Sequence, residues 1–130
     1  MNKTETLEHY FGYKSFRNGQ EKIIDRLLSG GDAVGIMPTG AGKSICYQVP
    51  ALLMDGITLV ISPLISLMKD QVSALVQSGV SAAFINSTLT PRQSDLALSR
   101  AANGTYKIIY VAPERLTAPS FLDFAMNADI

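Results

Sequence analysis

A glycine-rich segment that ends in a lysine and a serine is the part of this sequence best suited to chemistry. It follows a short apolar run and reads Thr39-Gly40-Ala41-Gly42-Lys43-Ser44. Glycines let backbone N–H groups turn toward a bound anion, and a helix that starts here directs its positive end at the same point. The Lys43 ammonium would neutralise phosphate oxygens, and the Ser44 hydroxyl suits a magnesium ion that bridges them. The segment therefore predicts a loop for a nucleoside triphosphate, with Lys43 and Ser44 nearest the chemistry.

One position of this loop departs from the general phosphate-loop pattern. That pattern has a glycine five residues before Gly42, where this sequence has Met37. The alternative is an ordinary glycine turn between a strand and a helix, followed by a lysine. Packing alone gives little reason to combine these glycines with a lysine and a serine, so phosphate binding is favoured. Close by, Cys46 is predicted to be a small core residue, and Pro50 predicts a kink or an early stop in the following helix.

The elements around the loop predict an α/β fold. Four short apolar runs, at 33–37, 57–61, 82–85 and 107–111, have the composition of buried parallel strands, and each precedes a segment suited to a helix. This alternation predicts a mostly parallel sheet flanked by helices. Two helices have clear signals, one over 20–28 and one whose start combines a cap, a proline and a capping-box glutamine: Thr90, Pro91 and Gln93.

Composition limits the classes of partner and compartment. Eleven basic and eleven acidic side chains give a formal net charge of zero, so overall charge does not attract the chain to nucleic acid or to a membrane. The single cysteine rules out an internal disulfide and fits a reducing compartment. We expect no membrane association, and a location in the cytoplasm (nucleoid) of a bacterium or the nucleus of a eukaryote.

Read with its neighbours, the glycine-rich loop resembles a known motif. Residues 37–48, Met-Pro-Thr-Gly-Ala-Gly-Lys-Ser-Ile-Cys-Tyr-Gln, closely resemble motif I of the RecQ family of ATP-dependent DNA helicases, where the position of Met37 is normally not glycine. Residues 11–20 resemble that family's adenine-recognition motif 0, with Asn18 where proline is usual. The resemblance implies that Tyr13 and Arg17 pack on the faces of adenine and that Gln20 reads its edge, with ATP and Mg²⁺ as cofactors. The alternative for Gln20 is a solvated helix start.

Two later segments resemble the family's DNA-facing motifs Ia and Ib, at 62–72 and 111–116. The resemblance implies contacts to single-stranded or partly duplex DNA from four residues: Ser62, Pro63, Lys69 and Arg115. The alternatives are a solvated helix face at Lys69 and a local ion pair between Glu114 and Arg115. The turn Asn86-Ser87-Thr88 also looks like family sequence, but we assign it only a connection from strand to helix.

The resemblance spans nearly the whole chain, from about Leu7 to Leu122, and its implication concerns residues 1–130. It implies the N-terminal part of the first RecA-like ATP-binding domain of a 3′–5′ helicase, a partial P-loop NTPase domain truncated before the Walker B strand. Such a helicase couples ATP hydrolysis to DNA unwinding in recombination and repair. No apolar run ends in an Asp-Glu pair, so we expect these residues alone to be inactive. The alternatives are a non-catalytic nucleotide-binding module and another P-loop enzyme such as a kinase. The sequence identifies no protein partner.

Overall fold

The computed structural model describes residues 1–38 and 42–130, which divide into two compact units, Met1–Asp55 and Gly56–Ile130. The first unit is helical. Helix α1 spans Lys3–Thr6 and continues as a π-helical turn over Leu7–Phe11, α2 spans Gln20–Leu28, and α3 spans Ile45–Leu53. The helix predicted over 20–28 is therefore confirmed. The helix α1 was not predicted, although Asn2 caps it by accepting the Glu5 N–H at 2.8 Å.

The core of the first unit joins all of its helices. Leu7, Ile24, Ile45 and Val49 are buried together, and half-buried Phe11, Phe16 and Leu53 pack around them. Burying each aliphatic side chain stabilises the unit by about 1.5–3 kcal/mol. This packing holds the 11–20 segment close to the start of α3.

The helix that starts after the loop contains Pro50, as predicted, but it does not stop there. It continues to Leu53, and the Met54 N–H donates to the Pro50 carbonyl at 3.0 Å. The early stop considered at the proline is therefore wrong by about one turn, and the kink considered as its alternative stays a prediction. A proline near the C-terminal end removes only one backbone donor from the helix.

The strand predicted over 33–37 is wrong. These residues form no β-structure, and Val34 and Ile36 are 89% and 93% exposed. A strand is stabilised by backbone hydrogen bonds to a neighbour, and none of the described residues provides one here. Every second residue of this segment still faces the same way, because Ala33, Gly35 and Met37 line a pocket with residues of α2 and α3.

The second unit is an α/β structure. Its strands are β1 (Thr58–Ile61), β2 (Ala82–Ile85) and β3 (Ile108–Val111), and its helices are α4 (Ile65–Gln77), α5 (Pro91–Ala102) and α6 (Pro119–Asn127), with a 3₁₀ turn over Pro113–Thr117. The sheet order is β1-β3-β2, and both pairings are parallel. The predicted α/β class with a mostly parallel sheet is confirmed.

The central strand is the most buried part of the second unit. All four residues of β3 are 0% exposed, as expected for a parallel strand covered on both faces. Its side chains pack with α5 and α6 in a cluster formed by Ile85, Leu98, Ala101, Ile109, Val111, Phe121 and Phe124. This core fixes the ends of the three strands relative to one another.

The predicted capping box of α5 is confirmed. The Thr90 hydroxyl accepts the Gln93 N–H at 3.2 Å, and the Gln93 side chain accepts the Thr90 N–H at 2.9 Å. Pro91 lies in the first turn. In the described residues, no helix has the length and apolarity needed to cross a membrane.

Candidate functional site

Gln20, the first residue of α2, connects the two segments predicted to bind a nucleotide. Its side chain is buried, with 3% of the residue exposed. The Arg17 N–H donates to its Oε1 at 2.8 Å, and its Nε2 donates to the Gly42 carbonyl at 2.9 Å. The solvated helix start considered for this residue is therefore wrong. The amide joins the predicted adenine segment to the predicted phosphate loop.

Gly42 needs to be glycine for two reasons. Its φ is +76°, in the left-handed region that side chains disfavour. A Cβ at this position would also lie 2.5 Å from Gln20 Nε2. The close approach of Gln20 to the loop therefore depends on the missing side chain of Gly42.

A pocket of about 240 Å³ opens beside this contact. Tyr13 and Arg17 both line it, and the Arg17 guanidinium carbon lies 6.0 Å from the centroid of the Tyr13 ring. Tyr13 is 51% exposed, so its ring is accessible to a ligand. The structure thus brings together three predicted residues, Tyr13, Arg17 and Gln20.

The rest of the pocket lining includes Gly42, which was predicted as part of the phosphate loop. The other three lining residues, Leu7, Ser15 and Ile45, were not predicted as site residues. Leu7 has no nearby motif that marks it as a site residue. The available signal is the apolar spacing of Leu7 and Phe11, which is typical of one helix face.

Lys43 and Ser44 precede α3, so both lie at its positive end. Lys43 is exposed, and the Ser44 hydroxyl makes no capping hydrogen bond to the helix. The other three predicted loop residues, Thr39, Gly40 and Ala41, lie outside the described residues. Lys43 and Ser44 thus lie at a helix N-terminus, the end of a helix that favours bound anions.

Cys46 is a buried residue, as predicted. Its Sγ lies 3.8 Å from Met37 Sδ, and burial raises the pKa of its thiol. A thiol with a raised pKa carries little thiolate at neutral pH, which makes it a poor nucleophile. Among the described residues, no group of three or more His, Cys, Asp or Glu side chains could hold a metal ion.

The carboxyl ends of the strands in the second unit bring the other predicted segments to one edge. Beyond the strand ends, the Ser62 N–H donates to the Val111 carbonyl at 3.1 Å, and the Ala112 N–H donates to the Ile85 carbonyl at 3.0 Å. The segments that follow all three strands therefore begin side by side. Ligands of open parallel sheets commonly bind at this edge.

The structure describes all four residues predicted to contact DNA. Three of them follow the ends of strands, namely Ser62, Pro63 and Arg115, and Lys69 lies in α4. Pro63 and Lys69 are exposed, whereas Ser62 and Arg115 are half-buried. The Ser62 hydroxyl accepts the Leu64 N–H at 3.1 Å. Arg115 Nη2 donates to the Asn86 carbonyl at 3.4 Å, and no ion pair joins Arg115 to Glu114, although the structure describes both side chains.

A family model described as DEAD/DEAH box helicase matches residues 17–126, which is most of the chain. The chain belongs to the DEAD/DEAH box helicase family. The matched region includes the predicted adenine, phosphate-loop and DNA-facing segments from Arg17 onward.

Similar proteins make the relationship within the DEAD/DEAH box helicases more specific. The chain is 51% identical over 126 residues to the ATP-dependent DNA helicase RecQ of Bacillus subtilis, covering 95% of this chain and 21% of the relative. It is 52% identical over 115 residues to the ATP-dependent DNA helicase RecQ of Haemophilus influenzae, covering 88% and 19%. It is also 41% identical to the ATP-dependent helicase wrn-1 of Caenorhabditis elegans, covering 90% and 11%.

The predicted resemblance to RecQ helicases is confirmed by these matches. The chain spans about a fifth of the length of the RecQ relatives from Bacillus and Haemophilus. The hydrogen bond between Gln20 and Gly42 in this DEAD/DEAH box helicase chain was not predicted. The two residues are 22 positions apart, and only the tertiary fold brings them together.

Proposed function

We propose that this chain is the ATP-binding part of the first RecA-like motor domain of a RecQ-type DNA helicase. The complete protein would couple ATP hydrolysis to 3′–5′ unwinding of DNA in recombination and repair. The relatives named ATP-dependent DNA helicase RecQ support this proposal at about half identity. The direction of unwinding rests on the resemblance to that family.

The observation that carries the proposal is the double hydrogen bond of Gln20 to Arg17 and Gly42. An ATP site must hold a base pocket and a phosphate loop at a fixed separation. Gln20 links these two parts through a buried amide, so a displacement of the base pocket also displaces the phosphate loop. A phosphate-binding turn without base recognition would not require this link.

The size of the pocket is suited to a base. Its volume of about 240 Å³ is below the ~300–1,000 Å³ typical of sites for drug-sized ligands. The pocket would therefore hold the adenine, with the phosphates outside it near the start of α3. An adenine between Tyr13 and Arg17 needs about 7 Å, or two contacts of ~3.5 Å. Their 6.0 Å separation implies that the two side chains move apart by about 1 Å on binding.

Lys43 and Ser44 would hold the phosphates and their magnesium ion. The exposed Lys43 ammonium supplies charge, and the Ser44 hydroxyl supplies an oxygen ligand of the kind that Mg²⁺ prefers. Backbone N–H groups of the 39–42 segment are predicted to complete the cradle. When bound, the ion would neutralise developing charge on the phosphates. The residues of this chain bind and orient the triphosphate.

DNA would bind at the carboxyl edge of the sheet in the second unit. The proposed contacts to single-stranded or partly duplex DNA are Ser62, Pro63, Lys69 and Arg115. The proposed location of the protein is the bacterial nucleoid or the eukaryotic nucleus. Contacts of this type go mainly to phosphates and position the strand without reading its sequence.

DNA-stimulated ATP hydrolysis by the complete gene product tests the proposal. We expect hydrolysis and strand separation in the wild type and loss of both in Lys43→Ala, because the triphosphate loses its main cation. Lys22→Ala is the control, since Lys22 is an exposed lysine of α2 outside the pocket. Hydrolysis that is insensitive to DNA, with transfer of phosphate to a small molecule, would instead support a kinase.

A further inference from the structure

Asn86 follows β2 directly and is a buried polar residue outside the proposed contacts. It is 1% exposed. Its Nδ2 donates to Met68 Sδ at 3.4 Å, and its Oδ1 accepts the Thr88 N–H at 2.9 Å and the Thr88 hydroxyl at 2.5 Å. The Asn86 amide nitrogen therefore donates to a residue of α4, and the amide oxygen accepts from the turn that follows β2.

The main chain of Asn86 faces the segment that follows β3. Its carbonyl accepts the Leu89 N–H at 3.2 Å and Arg115 Nη2 at 3.4 Å. The preceding carbonyl, of Ile85, accepts the Ala112 N–H at 3.0 Å. Two successive carbonyls at the end of β2 thus contact the backbone and the guanidinium of the segment 112–115.

Asn86 consequently joins two segments that are separate in sequence. Met68 lies within 62–72 and is 0% exposed, and exposed Lys69 follows it. Arg115 lies within 111–116. Each segment is a proposed DNA contact, and Asn86 bonds to both.

The residue type at position 86 matches this arrangement. An amide has both a donor and an acceptor, so it can bond to the Met68 sulfur and the Thr88 groups at once. An apolar side chain of the same size would fill the space but would leave the Thr88 N–H unpaired and the turn held only by the backbone bond from the Leu89 N–H to the Asn86 carbonyl. The direction of the Asn86 carbonyl depends on that turn.

We propose that Asn86 is a positioning residue that holds the Arg115 guanidinium ready to contact a DNA phosphate. The proposal rests on the proposed function, in which Arg115 contacts DNA. The long Arg115 side chain has many rotamers, and its bond to the Asn86 carbonyl restricts them before DNA arrives. In Asn86→Ala the guanidinium is no longer held in the contacting rotamer, so the phosphate contact is lost.

The salt dependence of DNA binding separates this role from a purely structural one. For single strands, the slope of log affinity against log salt falls by about 0.7 for each phosphate contact that is lost. The measurement uses the complete gene product, a fluorescent oligo-dT and 50–200 mM salt. We expect Arg115→Ala and Asn86→Ala each to reduce the slope by about 0.7. The slope of the double variant should also fall by about 0.7, because the same single phosphate contact is lost in both single variants and in the double variant.

A matched control tests whether lost stability alone changes the slope. Leu98→Ala removes a buried side chain from the core of the same unit, and Leu98 does not line the pocket that contains Arg115. We expect it to lower the unfolding temperature and leave the slope at its wild-type value. If Asn86→Ala does not fold, Thr88→Val replaces it, since this variant removes one of the two Thr88 donors that restrain the turn.

The outcomes distinguish this inference from the proposed function. A reduced slope in Arg115→Ala with a wild-type slope in Asn86→Ala would overturn the positioning role and leave the DNA contact intact. An unchanged slope in Arg115→Ala would overturn both. An additive loss of about 1.4 in the double variant would show two independent contacts and also overturn positioning.

Discussion

Gln20 Nε2 donates a hydrogen bond to the Gly42 carbonyl at 2.9 Å and thereby ties the start of α2 to the residue before Lys43. In Gln20→Ala this bond and the bond from the Arg17 N–H are both lost. We expect ATP affinity to fall by about 1–2 kcal/mol, or about 5- to 30-fold, because the Arg17 N–H and the Gly42 carbonyl lose the side chain that holds the base pocket and the loop together. The preference for ATP over GTP should fall as well, which competition with a fluorescent ATP analogue measures.

The control for Gln20 is Gln93→Ala. Gln93 also bonds to backbone through its side chain, but it lies in the capping box of α5. This variant should lose stability and keep the wild-type preference for ATP. If Gln20→Ala retains full preference, the assignment of adenine recognition to Gln20 is wrong.

The structure predicts unequal effects of alanine at two left-handed glycines. Gly30 and Gly42 have φ of +87° and +76°, so alanine at either should cost about 1–2 kcal/mol in backbone strain. At Gly30 no atom lies within 4 Å of an added Cβ, whereas at Gly42 the Gln20 amide lies at 2.5 Å. Gly42→Ala should therefore be the more destabilising in urea unfolding, and it alone should weaken ATP binding.

A double variant tests the cause of that difference. In a Gln20→Ala background the overlap with the new Cβ is removed. The extra cost of Gly42→Ala over Gly30→Ala should then decrease. Equal costs of the two glycine variants in the wild-type background would show that the Gln20 side chain moves aside at little cost, and the predicted difference would be wrong.

The start of α5 should depend on Thr90. Its hydroxyl accepts the Gln93 N–H, so Thr90→Ala should lower the free energy of unfolding by about 1 kcal/mol. Thr117→Ala is a suitable comparison, because that hydroxyl makes only a 3.5 Å contact to the Glu114 carbonyl. Urea unfolding of both variants measures the difference, and equal losses would argue against the cap.

Local signals in the sequence predicted the elements that depend on neighbours in sequence. The capping box of Thr90 and Gln93 was found in this way. The segment 33–37 has the same apolar composition as a strand, yet it forms none, because a strand also needs a partner that composition cannot supply.

In the candidate site, too, local patterns in the sequence predicted local features but not contacts between distant segments. Lys43 and Ser44 were predictable because a local glycine-rich pattern contains them. The contact of Gln20 with Gly42 and the lining by Leu7 arise from the packing of α1, α2 and α3. No pattern within either segment specifies those contacts, so only the folded chain defines them.

The buried thiol of Cys46 should react more slowly in the folded chain than in the unfolded chain. Burial raises its folded-state pKa, so at mildly alkaline pH the folded chain carries less thiolate than the chain in urea. The neutral thiol is the favoured form in the folded state. Its contribution to stability is therefore complete below the unfolded-state pKa and decreases as pH rises through the folded-state pKa. Iodoacetamide labelling across pH 7–10, with Cys46→Ala as the blank, measures the difference in reactivity. Urea unfolding of the wild type and of Cys46→Ala over the same pH range measures the change in stability. Equal labelling rates with and without urea would show that the thiol is accessible and its pKa unshifted.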